Sequence, residues 1–449
     1  MKPVSQLSKR FRVVFDDHKT VPNAGLVIPL RLADSLGVAE MINGRVSGTD
    51  RRSRPNSGPK AMCLVAMLIA GGDFISDVGV LTAGVTLSRL GYRGFSESRL
   101  GEWLRSLTTD DIGGLADTLT EATATGWARG LGPDPSRMSD QLIVDLDSTH
   151  TETYGQTKQG ADTRNYLRAK GYHPLLAVEA STGQVIAAQL RAGNTSPANS
   201  AADFAADTIR RFRQLTDPST SLLLRADSGF YLKELFDHCV ATNTRFSVTV
   251  RQHQPVRDLI ATITQSDWQQ VSRTANQHID IAAIPFQIKG RNPKHPITCR
   301  LIVRRNTTPA DTGNPQPRLF DLVDHYAFVT NQPGDPQTLW RRHNHRAVIE
   351  TAIRDLKHNL GLNHFPSASF TANAAWLHLN TLAHNLCRFT NQLITPQTLT
   401  TKTLRYRYLT IPGRITTGSR TTTLHLPTNW PWHHHITHAI TTINHPTAA

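Results

Sequence analysis

Two aspartates, Asp145 and Asp147, close an apolar run in the stretch IVDLDSTH at residues 143–150. Residues two apart in a strand face the same side, so both carboxylates are expected to project together where the strand leaves its sheet. A second apolar strand, SLLLRADSGF at 221–230, also ends in an aspartate, Asp227. A lone aspartate in such a place usually caps a turn. Two such ends in one sheet make a shared site as plausible as two separate turns.

The stretch RRHNHRAVIETAIRDLKHNL, at 341–360, supplies a third carboxylate, Glu350. We predict one long helix from Leu339 to about Leu360. At 100° per residue, one polar stripe of that helix carries His343, Arg346, Glu350 and Lys357. An apolar stripe runs beside it and must pack on the sheet, so Glu350 would point towards the strand ends with cations beside it. The alternative is a solvated face on which Arg346 and Glu350 simply pair.

Three convergent carboxylates suit Mg²⁺, a hard cation that takes one or two carboxylates, keeps several waters and completes its shell with substrate phosphate. Two such ions, roughly 4 Å apart, would activate a water on one side of a phosphodiester and stabilise the leaving 3′-oxygen on the other. The acidic residues therefore predict a two-magnesium site for phosphoryl transfer on DNA.

The charge balance agrees with such a substrate. The 449 residues include 49 Lys plus Arg against 35 Asp plus Glu, which gives a formal net charge of +14 and a pI near 10. A basic protein favours an anionic polymer as its partner, because each neutralised phosphate releases a condensed counterion. Nucleic acid is the first expectation, and a basic protein without such a partner is the alternative. The length predicts two or three domains.

Cysteine usage and hydropathy indicate a soluble protein of a reducing cytoplasm. The cysteines show no CxxC spacing, so neither a zinc site nor a disulfide framework is indicated; they are Cys63, Cys239, Cys299 and Cys387. The first residues lack the apolar core of a signal peptide. The longest apolar run, at 61–72, is shorter than the roughly 20 residues of a membrane span, so no membrane partner is expected.

Residues 1–135 are predicted to form a mostly helical DNA-binding domain. The loop DRRSRPNSGPK, at 50–60, either contacts phosphates or is a solvated linker. Its basic residues are Arg51, Arg52, Arg54 and Lys60. A short helix at 96–107 is either a recognition helix or part of a bundle core, and its apolar spacing favours the core.

Residues 136–251 and 339–370 are predicted to form a mixed α/β sheet domain, because apolar strands and helical segments alternate along them. The segment between these parts, 252–338, is rich in Pro, Thr, Asn and Gln and has short alternating runs. It is predicted to be a β-rich insertion in the sheet domain.

Residues 371–449 are predicted to form a helix followed by a basic tail that contacts DNA or mediates dimerisation. No acidic residue occurs after Leu356, and 404–420 is the densest basic part. Its candidate DNA contacts are Arg405, Arg407 and Arg414. A merely solvated end is the alternative. The histidine triplet at 433–435 is not expected to hold a metal, because consecutive loop residues rarely converge on one ion.

The ordered set of motifs resembles the DDE transposases of bacterial insertion sequences, which have an RNase H-like core. The resemblance rests on DLDST, GYHPLLAV, RAGNTSPANSAADF and RADSGF, followed by Arg346, Glu350 and Lys357 at spacings of four and seven. More narrowly, the chain is similar to the insertion-sequence family numbered thirteen-eighty, in the group with a Tyr-Arg-Glu-Lys signature. The similarity runs from about residue 23 to about 432.

The resemblance implies roles for individual residues. Asp147 would be the first metal ligand and bridge both ions, with Asp227 second and Glu350 third; Mn²⁺ is expected to replace Mg²⁺. Arg346 and Lys357 would contact phosphates of the transposon end. His343 stands where the signature has Tyr and would hydrogen-bond a phosphate in its place. Asp145 remains an alternative first ligand.

The resemblance also implies cut-and-paste transposition. Water attacks at the element end, the freed 3′-OH forms a hairpin with the other strand, a second water opens it, and the 3′-OH attacks target DNA. A flipped base would rest on Trp268 or Trp340 during hairpin formation. The partners implied are the inverted-repeat ends, target DNA and a second copy of the chain. The implied location is the bacterial nucleoid in the cytoplasm.

Two other readings stay open at the level of sequence. DLDST also matches the DxDxT loop of haloacid dehalogenase-type phosphatases, in which Asp145 would be the nucleophile and Asp147 the acid/base. A DNA-binding protein without catalysis, such as a decayed transposase, is the other alternative.

Overall fold

The structure is a computed structural model that describes residues 13–49, 56–83, 85–134, 141–165, 168–196, 198, 200–289, 295–310, 320–419 and 421–445. Three of the basic loop residues, Arg51, Arg52 and Arg54, lie outside these ranges.

Helices dominate the two ends of the described chain. They are α1 (Val27–Ser35), α2 (Val38–Arg45), α3 (Ser57–Ala70), α4 (Val78–Ala83), α5 (Thr86–Arg89), α6 (Glu97–Ser106), α7 (Thr109–Ala128), α8 (Ala201–Leu215), α9 (Lys233–Ala241), α10 (Gln254–Ala261), α11 (Pro336–Asn344), α12 (Ala347–Asn359), α13 (Phe370–Ile394), α14 (Thr401–Leu404) and α15 (His433–Asn444). Among the described residues, no single helix is long and apolar enough to span a membrane, although α3 with Ile75–Ala83, bent by 90°, passes on length and composition.

Strands occupy the middle of the chain and two short stretches near its ends. They are β1 (Thr20–Val21), β2 (Gln141–Ser148), β3 (Thr151–Glu152), β4 (Gly171–Tyr172), β5 (Leu175–Glu179), β6 (Val185–Gln189), β7 (Ser221–Ala226), β8 (Arg245–Thr249), β9 (Gln269–Arg273), β10 (His278–Ile288), β11 (Ile297–Thr308), β12 (Leu322–Thr330), β13 (Gly413–Thr417) and β14 (Thr422–His425).

One mixed sheet forms the centre of the molecule, with strand order β6-β5-β2-β7-β8-β12-β11-β10-β9. Strands β2, β7 and β8 run parallel, whereas β5 and β6 on one side and β12 to β9 on the other are antiparallel. The predicted mixed α/β class is confirmed. The segment predicted as a β-rich insertion supplies four strands that extend this sheet, since β12 pairs directly with β8.

The two faces of the sheet pack against different helices. Even-numbered residues of β2, such as Val144 and Leu146, share a buried cluster with α8, α9 and α10. The opposite face, formed by β5 and β6, shares a cluster with α12 and α13. Because side chains alternate along a strand, Asp145 and Asp147 face the α12 side.

The N-terminal and C-terminal helices form one layer. Helix α13 is buried along most of its length, and its apolar residues join those of α1, α3 and α7 in a single cluster. Helix α6 contributes Leu100, Trp103 and Leu104 to it, all at most 1% exposed. The prediction that this helix belongs to a bundle core is therefore confirmed. The N-terminal and C-terminal regions, which the sequence analysis treated as separate, therefore share one hydrophobic core.

The predicted long helix from Leu339 to Leu360 is wrong in one respect, because it is broken. Helix α11 ends at Asn344, His345 has a ψ of 60°, and α12 begins after Arg346. The polar stripe counted from His343 therefore does not continue across the break. Within α12 the predicted apolar face is present, since Ile349, Ala352 and Leu356 are buried.

His343 shows the effect of the break most clearly. Its ring is 7% exposed and stacks on Phe328 at 4.1 Å, with the rings 5° apart. Its nitrogens lie 2.8 Å from the Ser247 hydroxyl and 3.1 Å from the Thr249 hydroxyl. The prediction that His343 contacts a phosphate is contradicted, because the side chain is enclosed and both nitrogens have partners.

The buried ring makes stability depend on pH. Burial, together with the positive charges of Arg346 and Arg225, lowers the pKa of His343 from 6.5 to about 3. Between pH 6.5 and pH 3 this histidine is protonated in the unfolded chain but neutral in the folded chain. The contribution of His343 to the free energy of unfolding is therefore complete above pH 6.5 and is lost as the pH falls. We expect His343→Gln to flatten the pH dependence of the unfolding free energy between pH 7 and 5 by about 1.4 kcal/mol per pH unit at most. Denaturant unfolding measures this slope. The exposed His434 gives the control variant His434→Gln, and equal slopes in the two variants would contradict the assignment.

Candidate active site

The parallel register of two strands brings the first two carboxylates side by side. Leu146 of β2 pairs with Ala226 of β7, so the next residues, Asp147 and Asp227, lie at adjoining carboxyl ends. The Ser148 amide donates to Asp147 Oδ1 at 2.7 Å, and the Gly229 amide donates to Asp227 Oδ1 at 2.9 Å. Among the described contacts, these bonds leave the second oxygen of each carboxylate without a main-chain donor.

Glu350 comes to the same place from α12. It lies in the first turn of the helix on an exposed position, one residue after the fully buried Ile349. Burial is the largest cause that raises the pKa of Asp147; the Arg346 charge and the Ser148 amide lower it, the charges of Asp227 and Glu350 raise it, and the net pKa is about 6. Each of the two other carboxylates is thus close enough to disfavour the charge of Asp147.

The donor set fits a hard divalent cation. Carboxylate oxygens are the ligands that Mg²⁺ prefers, and a cation between the three groups would offset the repulsion that Asp147 experiences. The carboxylates do not form a complete coordination site by themselves, however. In the described part of the chain, no three His, Cys, Asp or Glu side chains are close enough to ligate one ion. An open set of this kind agrees with a metal shell that substrate phosphate completes.

Two cationic side chains, one at the N-cap of α12 and one within it, bind main-chain carbonyls at the end of β2. Arg346 donates from Nη2 to the Leu146 carbonyl at 2.8 Å, and the same atom lies 3.9 Å from Asp147 Oδ2. Lys357 donates from Nζ to the His150 carbonyl at 2.8 Å and lies 3.4 Å from the Thr149 hydroxyl. Burial lowers the pKa of Lys357, and Glu152 opposes this shift. Both side chains are half-buried; Arg346 lies beside Asp147, and Lys357 binds the chain just after it.

Asp145 has a different role from its neighbour. Its carboxylate is fully buried and accepts two bonds of 2.7 Å from the guanidinium of Arg225, from Nε to Oδ1 and from Nη2 to Oδ2. Arg225 is 1% exposed. The alternative in which Asp145 is a metal ligand is contradicted, because both of its oxygens are bound inside the protein. Sequence reasoning missed Arg225, although a charged residue inside the apolar run SLLLRA requires a buried partner.

A second residue that sequence reasoning missed is His173, from the GYHPLLAV motif. Its Nδ1 lies 3.2 Å from the Thr195 carbonyl and its Nε2 3.1 Å from the Ser148 hydroxyl. A carbonyl only accepts, so Nδ1 carries the proton and Nε2 accepts from Ser148. Burial lowers the pKa of His173, which favours this neutral form. The pair holds the residue that follows Asp147.

The basic residues proposed as DNA contacts from the sequence are distributed unevenly. Arg405 donates to the Ile69 and Asn359 carbonyls at 2.8 and 2.6 Å, so it joins the ends of α3 and α12. This use of its guanidinium gives Arg405 a structural role, and its contact with DNA stays a prediction. Arg407 lies over the Trp432 ring at 5.3 Å, Arg414 is exposed on β13, and Lys60 is half-buried in the first turn of α3.

An arginine guanidinium packs against each of the two tryptophan rings predicted to stack on a flipped base. The Arg305 guanidinium covers the Trp268 ring at 4.3 Å, and Arg304 lies 5.1 Å from the Trp340 ring. Trp268 lines an open cavity of about 610 Å³ together with Asp280, Arg305 and His325. Both rings are half-buried on the strands and helix beyond β8.

Comparison with known proteins assigns the family. The family model described as "Transposase DDE domain group 1" matches residues 4–448, which is nearly the entire chain. The chain belongs to this family of DDE transposases. The transposase is accordingly a DNA-cleaving and strand-transferring enzyme with DNA as its partner, and its family generally uses divalent metals.

One similar solved structure is described as the cryo-EM structure of the piggyBac transposase synaptic complex with hairpin DNA. The likeness covers 85% of this chain and 80% of that chain, at 10% sequence identity and a TM-score of 0.47. No curated protein matches the sequence.

Proposed function

We propose that this transposase carries out divalent-metal-dependent cut-and-paste transposition at one site formed by Asp147, Asp227 and Glu350. The observation that supports this best is that Asp227 and Glu350, from two other elements, both lie near enough to Asp147 to affect its charge. Asp147 and Asp227 lie at adjoining ends of parallel strands. A carboxyl end of parallel strands is where α/β sheets bind their ligands.

The three carboxylates would hold two Mg²⁺ ions, with Mn²⁺ as a substitute. When bound, these ions supply an activated water and stabilise the leaving 3′-oxygen of a phosphodiester. Arg346, at the N-cap of α12, lies beside Asp147, and Lys357 of α12 lies at His150, three residues further on; both would orient the transposon-end phosphates. Their bonds to the Leu146 and His150 carbonyls hold the strand end that carries Asp147.

The proposed reaction uses the site several times in order. Hydrolysis at the element end breaks one P–O bond and frees a 3′-OH. That hydroxyl attacks the opposite strand, forms a new P–O bond, and closes a hairpin while the flanking DNA leaves. A second hydrolysis reopens the hairpin, and the same 3′-OH attacks target DNA. Half-buried Trp268 and Trp340 are the aromatic residues proposed to stack on a flipped base during hairpin formation.

Further parts of the proposal concern relatives and assembly. We place the enzyme in the insertion-sequence family numbered thirteen-eighty, with His343 at the Tyr position of its Tyr-Arg-Glu-Lys signature. We propose that it acts as a homodimer on paired inverted-repeat ends, because two ends must be joined in one reaction. The site of action would be the bacterial nucleoid.

The phosphatase reading of DLDST finds no support in the geometry. Its nucleophile would be Asp145, yet both oxygens of that carboxylate are bonded to Arg225 in a fully buried position. A carboxylate held in this way cannot reach a phosphoryl group.

A cleavage assay tests the proposed function. A duplex of the element's own end, labelled at its 3′ and 5′ termini, is incubated with wild-type protein and Glu350→Gln protein with and without Mg²⁺. We expect metal-dependent nicking and a hairpin product on denaturing gels for the wild type, and DNA binding without cleavage for Glu350→Gln. Equal cleavage by both proteins would sink the assignment of Glu350.

A further inference from the structure

Each strand that carries a catalytic aspartate also carries, two residues earlier, one half of a buried ion pair. On β2 the order is Asp145 then Asp147, and on β7 it is Arg225 then Asp227. The register pairs Asp145 directly with Arg225 across the two parallel strands. Residues two apart face the same side, so the ion pair and the two catalytic carboxylates share the face that α12 covers.

The guanidinium of Arg225 has further N–H donors available after it pairs with Asp145. Its Nη2 also donates to the His345 carbonyl at 2.8 Å, and its Nη1 donates to the Arg342 carbonyl. These two carbonyls belong to the end of α11 and to the residue that follows it, which is where the helix is broken. Carbonyls at a helix end lack intrahelical partners, and Arg225 supplies donors for two of them.

The break fixes where α12 begins. Arg346 comes directly after His345 and occupies the N-cap position of α12, and Glu350 lies in the first turn that follows. Arg346 Nε lies 4.0 Å from Asp145 Oδ1, so the N-cap residue of α12 also interacts electrostatically with the buried ion pair. A single guanidinium thus ties the strand of Asp147, the strand of Asp227 and the start of the helix of Glu350 to one point.

We propose that Asp145 and Arg225 are positioning residues that set the distance between Glu350 and the two strand-end aspartates. The inference rests on the proposed function of those three carboxylates and goes beyond it, since neither member of the pair touches the reacting atoms. A planar fork is required, because only arginine bonds a carboxylate through two nitrogens and still reaches two carbonyls. A lysine retains the charge but loses the second set of bonds.

The test compares Arg225→Lys with a matched variant, Arg211→Lys. Arg211 is 6% exposed, lies on α8, and bonds Asp207 at 2.7 Å, Asp117 at 2.9 Å and the Thr120 hydroxyl at 2.8 Å. Both changes replace a buried, carboxylate-bound arginine, but only Arg225 contacts the helix break. Because the carboxylates that Arg211 binds are 55% and 40% exposed, Arg211→Lys controls for the loss of a buried guanidinium, and the location of the exchange change shows the effect of the helix break.

Hydrogen exchange in metal-free protein gives a readout that does not depend on activity. We expect Arg225→Lys to speed exchange in peptides that cover the end of α11 and the first turn of α12, with no change there in Arg211→Lys. With Mg²⁺ and end DNA, the cleavage kcat of Arg225→Lys should fall by about 100-fold, the cost of a displacement of about 1 Å, while its DNA binding stays unchanged. Arg211→Lys should cleave at the wild-type rate.

A double variant, Asp145→Leu with Arg225→Met, keeps the test decisive if the lysine protein fails to fold. Removal of both charges by apolar residues of similar size is often tolerated, because no unpaired buried charge remains. We expect this protein to be folded, to exchange rapidly at the helix break and to cleave poorly. Wild-type exchange and wild-type kcat in a folded Arg225→Lys or double variant would overturn the inference. If Glu350→Gln cleaves like the wild type, the proposed function fails instead, and the exchange result is unaffected.

Discussion

Asp147→Asn is expected to abolish strand cleavage while the protein becomes more stable. A metal ligand contributes several kcal/mol of charge stabilisation to the transition state, which corresponds to a loss of roughly 10³-fold in kcat. Burial, followed by the charges of Asp227 and Glu350, raises the pKa of Asp147 to about 6. Above that pH the folded protein carries a carboxylate that its surroundings disfavour. The neutral amide removes this cost, so the unfolding free energy of the metal-free protein should rise at pH 7.

Two measurements on one preparation test this expectation: cleavage of a labelled end duplex with Mg²⁺, and thermal unfolding in the presence of a chelator. The exposed Asp324 on β12 provides the control variant Asp324→Asn, which should change neither. Binding of end DNA by Asp147→Asn should persist. A protein that loses cleavage and stability together would indicate a structural carboxylate rather than a ligand.

Asp145→Asn is expected to act in the opposite way and destabilise the fold by about 3 to 5 kcal/mol, because it leaves the charge of Arg225 buried without a counterion. The pair is almost completely enclosed, with the side chains of Arg225 and Asp145 at 1% and 0% exposure. That loss is a large part of the 5–15 kcal/mol that typically separates folded from unfolded domains.

Chemical denaturation of Asp145→Asn beside Asp147→Asn measures the contrast directly. The two changes remove the same charge from positions two residues apart on one strand, so each controls for the other. Equal stabilities would show that the Asp145–Arg225 pair contributes little. The structural role assigned to Asp145 would then have no basis.

Much of the site was predictable because it depends on short-range pattern. The alternation of β2 put Asp145 and Asp147 on one face, and apolar strands ending in DLDST and RADSG indicated adjoining strand ends. The register of β2 with β7 places Asp147 beside Asp227 as this pattern suggests. The buried face of α12 could also be predicted, because the helical spacing of apolar residues is a strong signal over about four turns.

The errors arose where tertiary contacts override local pattern. A helix count from His343 to Leu360 assumes an unbroken axis, but Arg225, more than a hundred residues away, binds the carbonyls at which the helix stops. His343 and Arg405 look like surface cations in sequence. Their burial follows from partners on distant elements, such as Ser247 for the first and the end of α3 for the second.

A metal-specificity switch at Asp147 tests the central claim most directly. A thiolate is a softer ligand than a carboxylate and binds Mn²⁺ in preference to Mg²⁺. We predict that Asp147→Cys protein binds the labelled end duplex, fails to cleave it in Mg²⁺, and recovers cleavage in Mn²⁺, whereas the wild type cleaves in both. Cleavage by Asp147→Cys in Mg²⁺ at the wild-type rate would contradict the account, because the side chain at 147 would then not hold the metal.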